Sequence, residues 1–109
     1  MSWKKVCAVA DLALDTPTVL EVDGVQVLFL RTGESVSAMP PLCPHMKEPL
    51  SNGICDGHTL TCLKHLWQWD IETGESTGEA EKDLCLYPLR VTDGIVQLEL
   101  ANELTYEYD

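Results

Sequence analysis

In the stretch 43-CPHMKEPLSNGICDGHTLTCLKH-65, three of the chain's five cysteines and all three of its histidines fall within 23 residues. Two pairs stand out, Cys43-Pro44-His45 and Cys62-Leu63-Lys64-His65, separated by 16 residues. Each pair sets one thiolate and one imidazole within a single turn of backbone. Two such turns facing one another would surround a metal centre with two sulfur and two nitrogen donors. Tetrahedral zinc accepts that set. Zinc fingers, however, usually group Cys with Cys and His with His and carry the histidines on a helix, whereas each turn here is mixed and flanked by strand signals. A [2Fe-2S] cluster with two thiolates on one iron and two imidazoles on the other suits mixed turns, because each turn can send its Cys to one iron and its His to the other. A cysteine nucleophile activated by a neighbouring histidine is a third possibility, but it uses one pair and leaves the second redundant.

The elements that must position these turns read as short strands. The clearest is 18-TVLEVDGVQVLFLR-31, two β-rich runs around Asp23-Gly24, and 86-LYPLRVTDGIVQLEL-100 repeats the pattern around Asp93-Gly94, with Pro88 at an edge or strand start. In 66-LWQWDIETGES-76, Trp67, Trp69 and Ile71 alternate with polar residues, the period of a half-buried strand. Residues 3–9 suit another strand, and 10–15 allow at most one helical turn before Pro17. The segment 39-MPPLCPHMKEPLSNG-53, with four prolines and a Ser-Asn-Gly turn, must be loop, and 57-GHTLTC-62 has β character leading into the second ligand turn. The result is an all-β chain, two ligand-bearing turns joined by a hairpin on an antiparallel barrel or sandwich.

C-P-H, the 16-residue gap and C-L-K-H together resemble the C-x-H…C-x-x-H motif of Rieske proteins. The resemblance implies a Rieske fold over residues 1–109: a small antiparallel β-barrel or sandwich base with a two-loop cluster-binding subdomain at about 40–70. It implies one Rieske-type [2Fe-2S] cluster per chain, with Cys43, His45, Cys62 and His65 as ligands. Pro44, Met46, Lys47, Lys64 and Trp67 would form the surroundings of the cluster and the docking surface. Cys55 and His58 fall between the pairs and read as bystanders, and Cys7 and Cys85, in strand-like runs, read as small core residues. Trp69 reads as core, whereas Trp67, beside the second turn, is a candidate for covering the cluster or facing a partner.

Departures from the high-potential members of that family narrow the expectation. Leu63 stands where they carry a disulfide cysteine, and Trp67 and Trp69 occupy the second and fourth positions after His65, so the bridging disulfide and both sulfur-bonding hydroxyls are missing. Their loss places the potential towards the low end of the Rieske range, on the order of -150 mV. With His45 and His65 assigned, only His58 remains, too few groups for an oxygen-activating iron site of its own. The chain therefore reads as an electron carrier and not an enzyme. His65-Leu66-Trp67 resembles the ferredoxins of toluene-, alkene- or isoprene-type soluble diiron monooxygenases, which implies electron transport from an NADH-dependent flavin and iron-sulfur reductase to a diiron hydroxylase in hydrocarbon catabolism, aromatic hydrocarbons included. A ferredoxin of an aromatic-ring dioxygenase and the small subunit of a nitrite reductase are the alternatives, with a structural zinc module more remote. Segment 78–88, where many Rieske proteins place a Pro-rich covering loop, has no proline before Pro88.

Composition bounds the partners. Seven Lys and Arg against 18 Asp and Glu give a formal charge of -11, which repels nucleic acid and anionic membrane surfaces and suits either solubility or steering towards a basic protein. No apolar run approaches a membrane span or a signal segment, and the odd cysteine count argues against a secreted disulfide framework. A cytoplasmic protein, monomeric when free, is expected.

Overall fold

The structure, a computed structural model, describes residues 3–33, 35–42, 49–62, 67–77 and 83–99. Among these described residues, ten strands form three antiparallel sheets: β1 (Trp3–Ala8) with β10 (Ile95–Glu99) and β9 (Leu89–Thr92); β2 (Thr18–Val22) with β3 (Val25–Thr32) and β4 (Ser35–Met39); and β5 (Ile54–Cys55), β6 (Thr59–Thr61), β7 (Gln68–Asp70) and β8 (Ser76–Thr77) in that order. Helix is limited, among the described residues, to two single 3-10 turns at Val9–Asp11 and Leu50–Asn52.

Both expected hairpins form, and the Asp-Gly pairs are the reason. Asp23 and Gly24 have φ of 50° and 81°, and Asp93 and Gly94 have 53° and 75°. Two consecutive residues at positive φ make the two-residue turn whose twist matches the flanking strands. The second hairpin starts later than its sequence suggests. Residues 83–88 run without regular structure, the Tyr87 N–H bonding the Ala38 carbonyl at 2.9 Å, so Cys85 lies outside any strand. β4 alternates Ser35, Val36, Ser37 and Ala38 over too short a run to announce itself, and its pairing with β3 from Leu28↔Met39 to Thr32↔Ser35 fixes it as a strand.

β3 is the wall between two cores. Val27 and Phe29 enter the core of the base with Leu12, Val22, Ala38, Tyr87, Val96 and Leu98. Leu28 and Leu30 point the other way, into a core with Met39, Leu50, Leu60, Cys62, Trp69, Ile71 and Leu84. A strand buried on both faces needs a continuous apolar run, and 27-VLFL-30 supplies it. The four-stranded sheet is thus mounted on the base through a second core and not through a flexible linker.

Candidate metal centre

Cys62 follows β6 directly and is only 2% exposed. Its N–H donates to the Trp67 carbonyl at 2.8 Å, adding one rung to the β6–β7 pairing and closing the base of the segment 63–66. The other ligand segment is closed the same way. Leu42 and Pro49 form an antiparallel bridge around residues 43–48, and the Leu50 N–H donates to the Pro41 carbonyl at 2.8 Å. Of the nine residues expected at the site, Cys62 and Trp67 are placed, whereas Cys43, Pro44, His45, Met46, Lys47, Lys64 and His65 lie outside the described residues.

What brings the two bases together is Gly53. Ile54 pairs with Thr61, so Gly53 falls opposite Cys62 where β5 and β6 continue past their last rung. Its φ of -78° is open to any residue. The space is not, because a Cβ there would stand 2.6 Å from the Thr61 carbonyl oxygen and 3.0 Å from that of Leu50. The sequence marks Gly53 as a turn residue, but it is required for the close approach of the first ligand segment to the strand carrying Cys62. Gly53→Ala is expected to cost about 1–3 kcal/mol of stability, as overpacking against unyielding backbone does, measured by denaturant unfolding of the holoprotein.

The hairpin between the two Cys/His pairs carries Cys55 and His58, the residues read as bystanders. Its turn, residues 56–59, lies at the end of β5 and β6 remote from Gly53 and Cys62, which takes the exposed His58 away from the site. There the Asp56 carboxylate accepts the His58 and Thr59 N–H groups at 3.1 and 2.9 Å, and these bonds hold its pKa below the usual range. Cys55 packs against the core beside Leu60, where burial pushes its thiol pKa up; the Gly57 N–H at 3.5 Å opposes this, while the Asp15 and Asp56 carboxylates add to it. Burial, then Asp11, raises Cys7 similarly. Both are neutral thiols at pH 7 that serve as packing. Among the described residues nothing hydrogen-bonds the buried Cys62 sulfur. A buried thiol at the mouth of two closed turns, with a donor set of two cysteines and two histidines, fits a mixed sulfur and nitrogen centre.

The two tryptophans divide as expected in one respect. Trp69 is fully buried, and half-buried Trp67 meets it edge to face with ring centroids 6.3 Å apart. The residues following the third segment also contribute. The Ser76 N–H bonds the Asp83 carboxylate at 2.8 Å, the Leu84 N–H bonds the Gly74 carbonyl at 2.7 Å, and Leu84 and Leu86 pack on the subdomain core. Of segment 78–88, which lacks a proline before Pro88, residues 78–82 lie outside the described residues.

Comparison with known proteins agrees with this geometry. The family profile of the Rieske [2Fe-2S] domain matches residues 2–88. The chain is 39% identical over 110 residues to the methanesulfonate monooxygenase ferredoxin subunit of Methylosulfonomonas methylovora, spanning 100% of this chain and 89% of that one. It is 33% identical over 97 residues to the ferredoxin component of the alkene monooxygenase system of Xanthobacter autotrophicus, spanning 88% and 80%. Among solved structures it resembles a chain from the complex of reduced oxygenase and oxidized ferredoxin in carbazole 1,9a-dioxygenase, with a TM-score of 0.80 and 26% identity over 94% of this chain and 97% of that chain.

Proposed function

The chain belongs to the Rieske [2Fe-2S] domain family and carries a cluster of that type as an electron carrier, and we propose that Cys43 and Cys62 hold one iron while His45 and His65 hold the other. The observation that supports this reading is the close approach, at Gly53, of the two backbone closures Leu42–Pro49 and Cys62–Trp67 that flank the two Cys/His segments. The cluster supplies transfer of one electron at a time. The protein's part is to seal the sulfur side, where Cys62, Leu60 and Trp69 exclude water, and to keep the turns from moving when the charge changes.

The partners are an NADH-dependent reductase and an oxygenase. One NADH yields NAD+, a proton and two electrons, so the carrier makes two trips for each NADH oxidised. The similarity to two monooxygenase ferredoxins supports a monooxygenase as the acceptor, and Trp67, two residues after His65, supports a diiron hydroxylase in particular. No described helix is long and apolar enough to cross a membrane.

Purification and reconstitution test this. The holoprotein should be brown, with two iron and two labile sulfide per chain and a reduced EPR signal averaging below the free-electron g value; a colourless zinc protein ends the proposal. Added to purified reductase and diiron hydroxylase, it should restore NADH-dependent substrate oxidation. Efficient supply of a mononuclear-iron oxygenase, with none to a diiron hydroxylase, overturns the diiron assignment alone. His65→Cys exchanges a neutral donor for an anionic one and should lower the midpoint potential, which an electrode titration reads directly.

A further inference from the structure

The sheet β5-β6-β7-β8 turns Leu60 and Trp69 into the core, so alternate residues of the same strands face outward. The register places Ile54, Thr61 and Gln68 side by side on that outer face, since Ile54 pairs with Thr61 and Thr61 with Gln68. This row is one residue away from the row of Gly53, Cys62 and Trp67 that forms the base of both ligand turns. Ile54 is 57% exposed, more than any other large apolar side chain among the described residues. It stands on the edge strand of the sheet. Gln68 Nε2 donates to Thr61 Oγ1 at 3.1 Å, tying these two polar side chains to each other.

None of the three residues is charged, in a chain of net charge -11. Charge begins at the next row. Asp70 pairs with Thr59, Asp56 lies at the adjoining turn and is held ionised by two backbone N–H groups, and Glu72 and Glu75 are exposed in the turn after β7. A neutral strip with an apolar anchor, bordered by carboxylates, has the anatomy of a small docking surface, whose anchor contributes affinity and whose rim selects the partner's charge.

We propose that this outer face, centred on Ile54, is a docking surface for a protein redox partner whose contact surface offers a small apolar recess ringed by Lys and Arg. The inference rests on the electron-carrier reading. A partner seated here lies against the sheet that supports both ligand turns, within one strand residue, about 3.3 Å along the chain, of the position of Cys62.

The test uses the holoprotein with Ile54→Asp, and Ile54→Val as the conservative control, titrated separately against purified reductase and purified oxygenase. Ile54→Asp is expected to raise the KM for the carrier about tenfold with at least one partner. It should leave the rate at saturation and the visible spectrum unchanged, and Ile54→Val should behave as wild type. Equal KM values for Ile54→Asp and wild type with both partners overturn the docking surface and leave the carrier reading intact. Failure of the wild-type holoprotein to exchange electrons with either partner overturns the carrier reading and this inference together.

Discussion

Cys62→Ala is expected to yield a colourless protein without stoichiometric iron or labile sulfide, while Cys55→Ala stays brown with both at wild-type levels. Cys55 lies in β5 and Cys62 directly follows the neighbouring strand β6, and both touch the subdomain core. They differ in position along the hairpin. Cys62 follows the last rung of β6, where its N–H to Trp67 closes the second ligand turn, whereas Cys55 pairs inward against Leu60. Removing one of only two thiolates leaves an iron with a single protein donor, and no other described side chain stands ready to replace it. Metal analysis and the visible spectrum read the outcome. Retention of two iron per chain by Cys62→Ala, or their loss in Cys55→Ala, would reverse the assignment of ligand and bystander.

Trp69→Ala carries the second large effect. The ring is fully buried at the centre of the core that joins the four-stranded sheet to β3, and it is edge to face with Trp67. Its removal is expected to cost about 3–5 kcal/mol, the usual range for truncating a large buried aromatic. Trp67→Ala, from a half-buried site, should cost less. The loss falls on the subdomain before it falls on the base, because Val27 and Phe29 keep a separate core on the opposite face of β3. Cluster release should therefore precede global unfolding in a thermal scan of Trp69→Ala, followed by visible absorbance and far-UV CD in parallel. Coincident transitions at the wild-type temperature would show that the ring does not support the centre.

Much of this was legible before any coordinates. The family motif, the Asp-Gly hairpins and the strand at Trp69 depend on residues close together in the chain. Local chemistry decides them: positive φ suits Gly and tolerates Asp, proline interrupts strands, and a Cys and His two or three residues apart share one turn. β4 was not legible, because the alternation in 35-SVSAM-39 is short and rests largely on Ser and Ala, and the segment becomes a strand through its partner β3. The late start of β9 was hidden too, since Tyr87 is drawn to Ala38, far off in sequence.

The sequence by itself determined the family it resembles and the all-β class, since both follow from residue type and short spacing. Only the tertiary structure decided three things that join distant parts of the chain. It assigned 27-VLFL-30 to two opposed cores, showed that Gly53 is needed for space beside Thr61 and not for its φ, and left Ile54 bare on an edge strand between the ligand turns and a carboxylate border. Which atoms crowd a position, and which side chains stay in water, depend on contacts made across the fold, and no local pattern encodes those contacts.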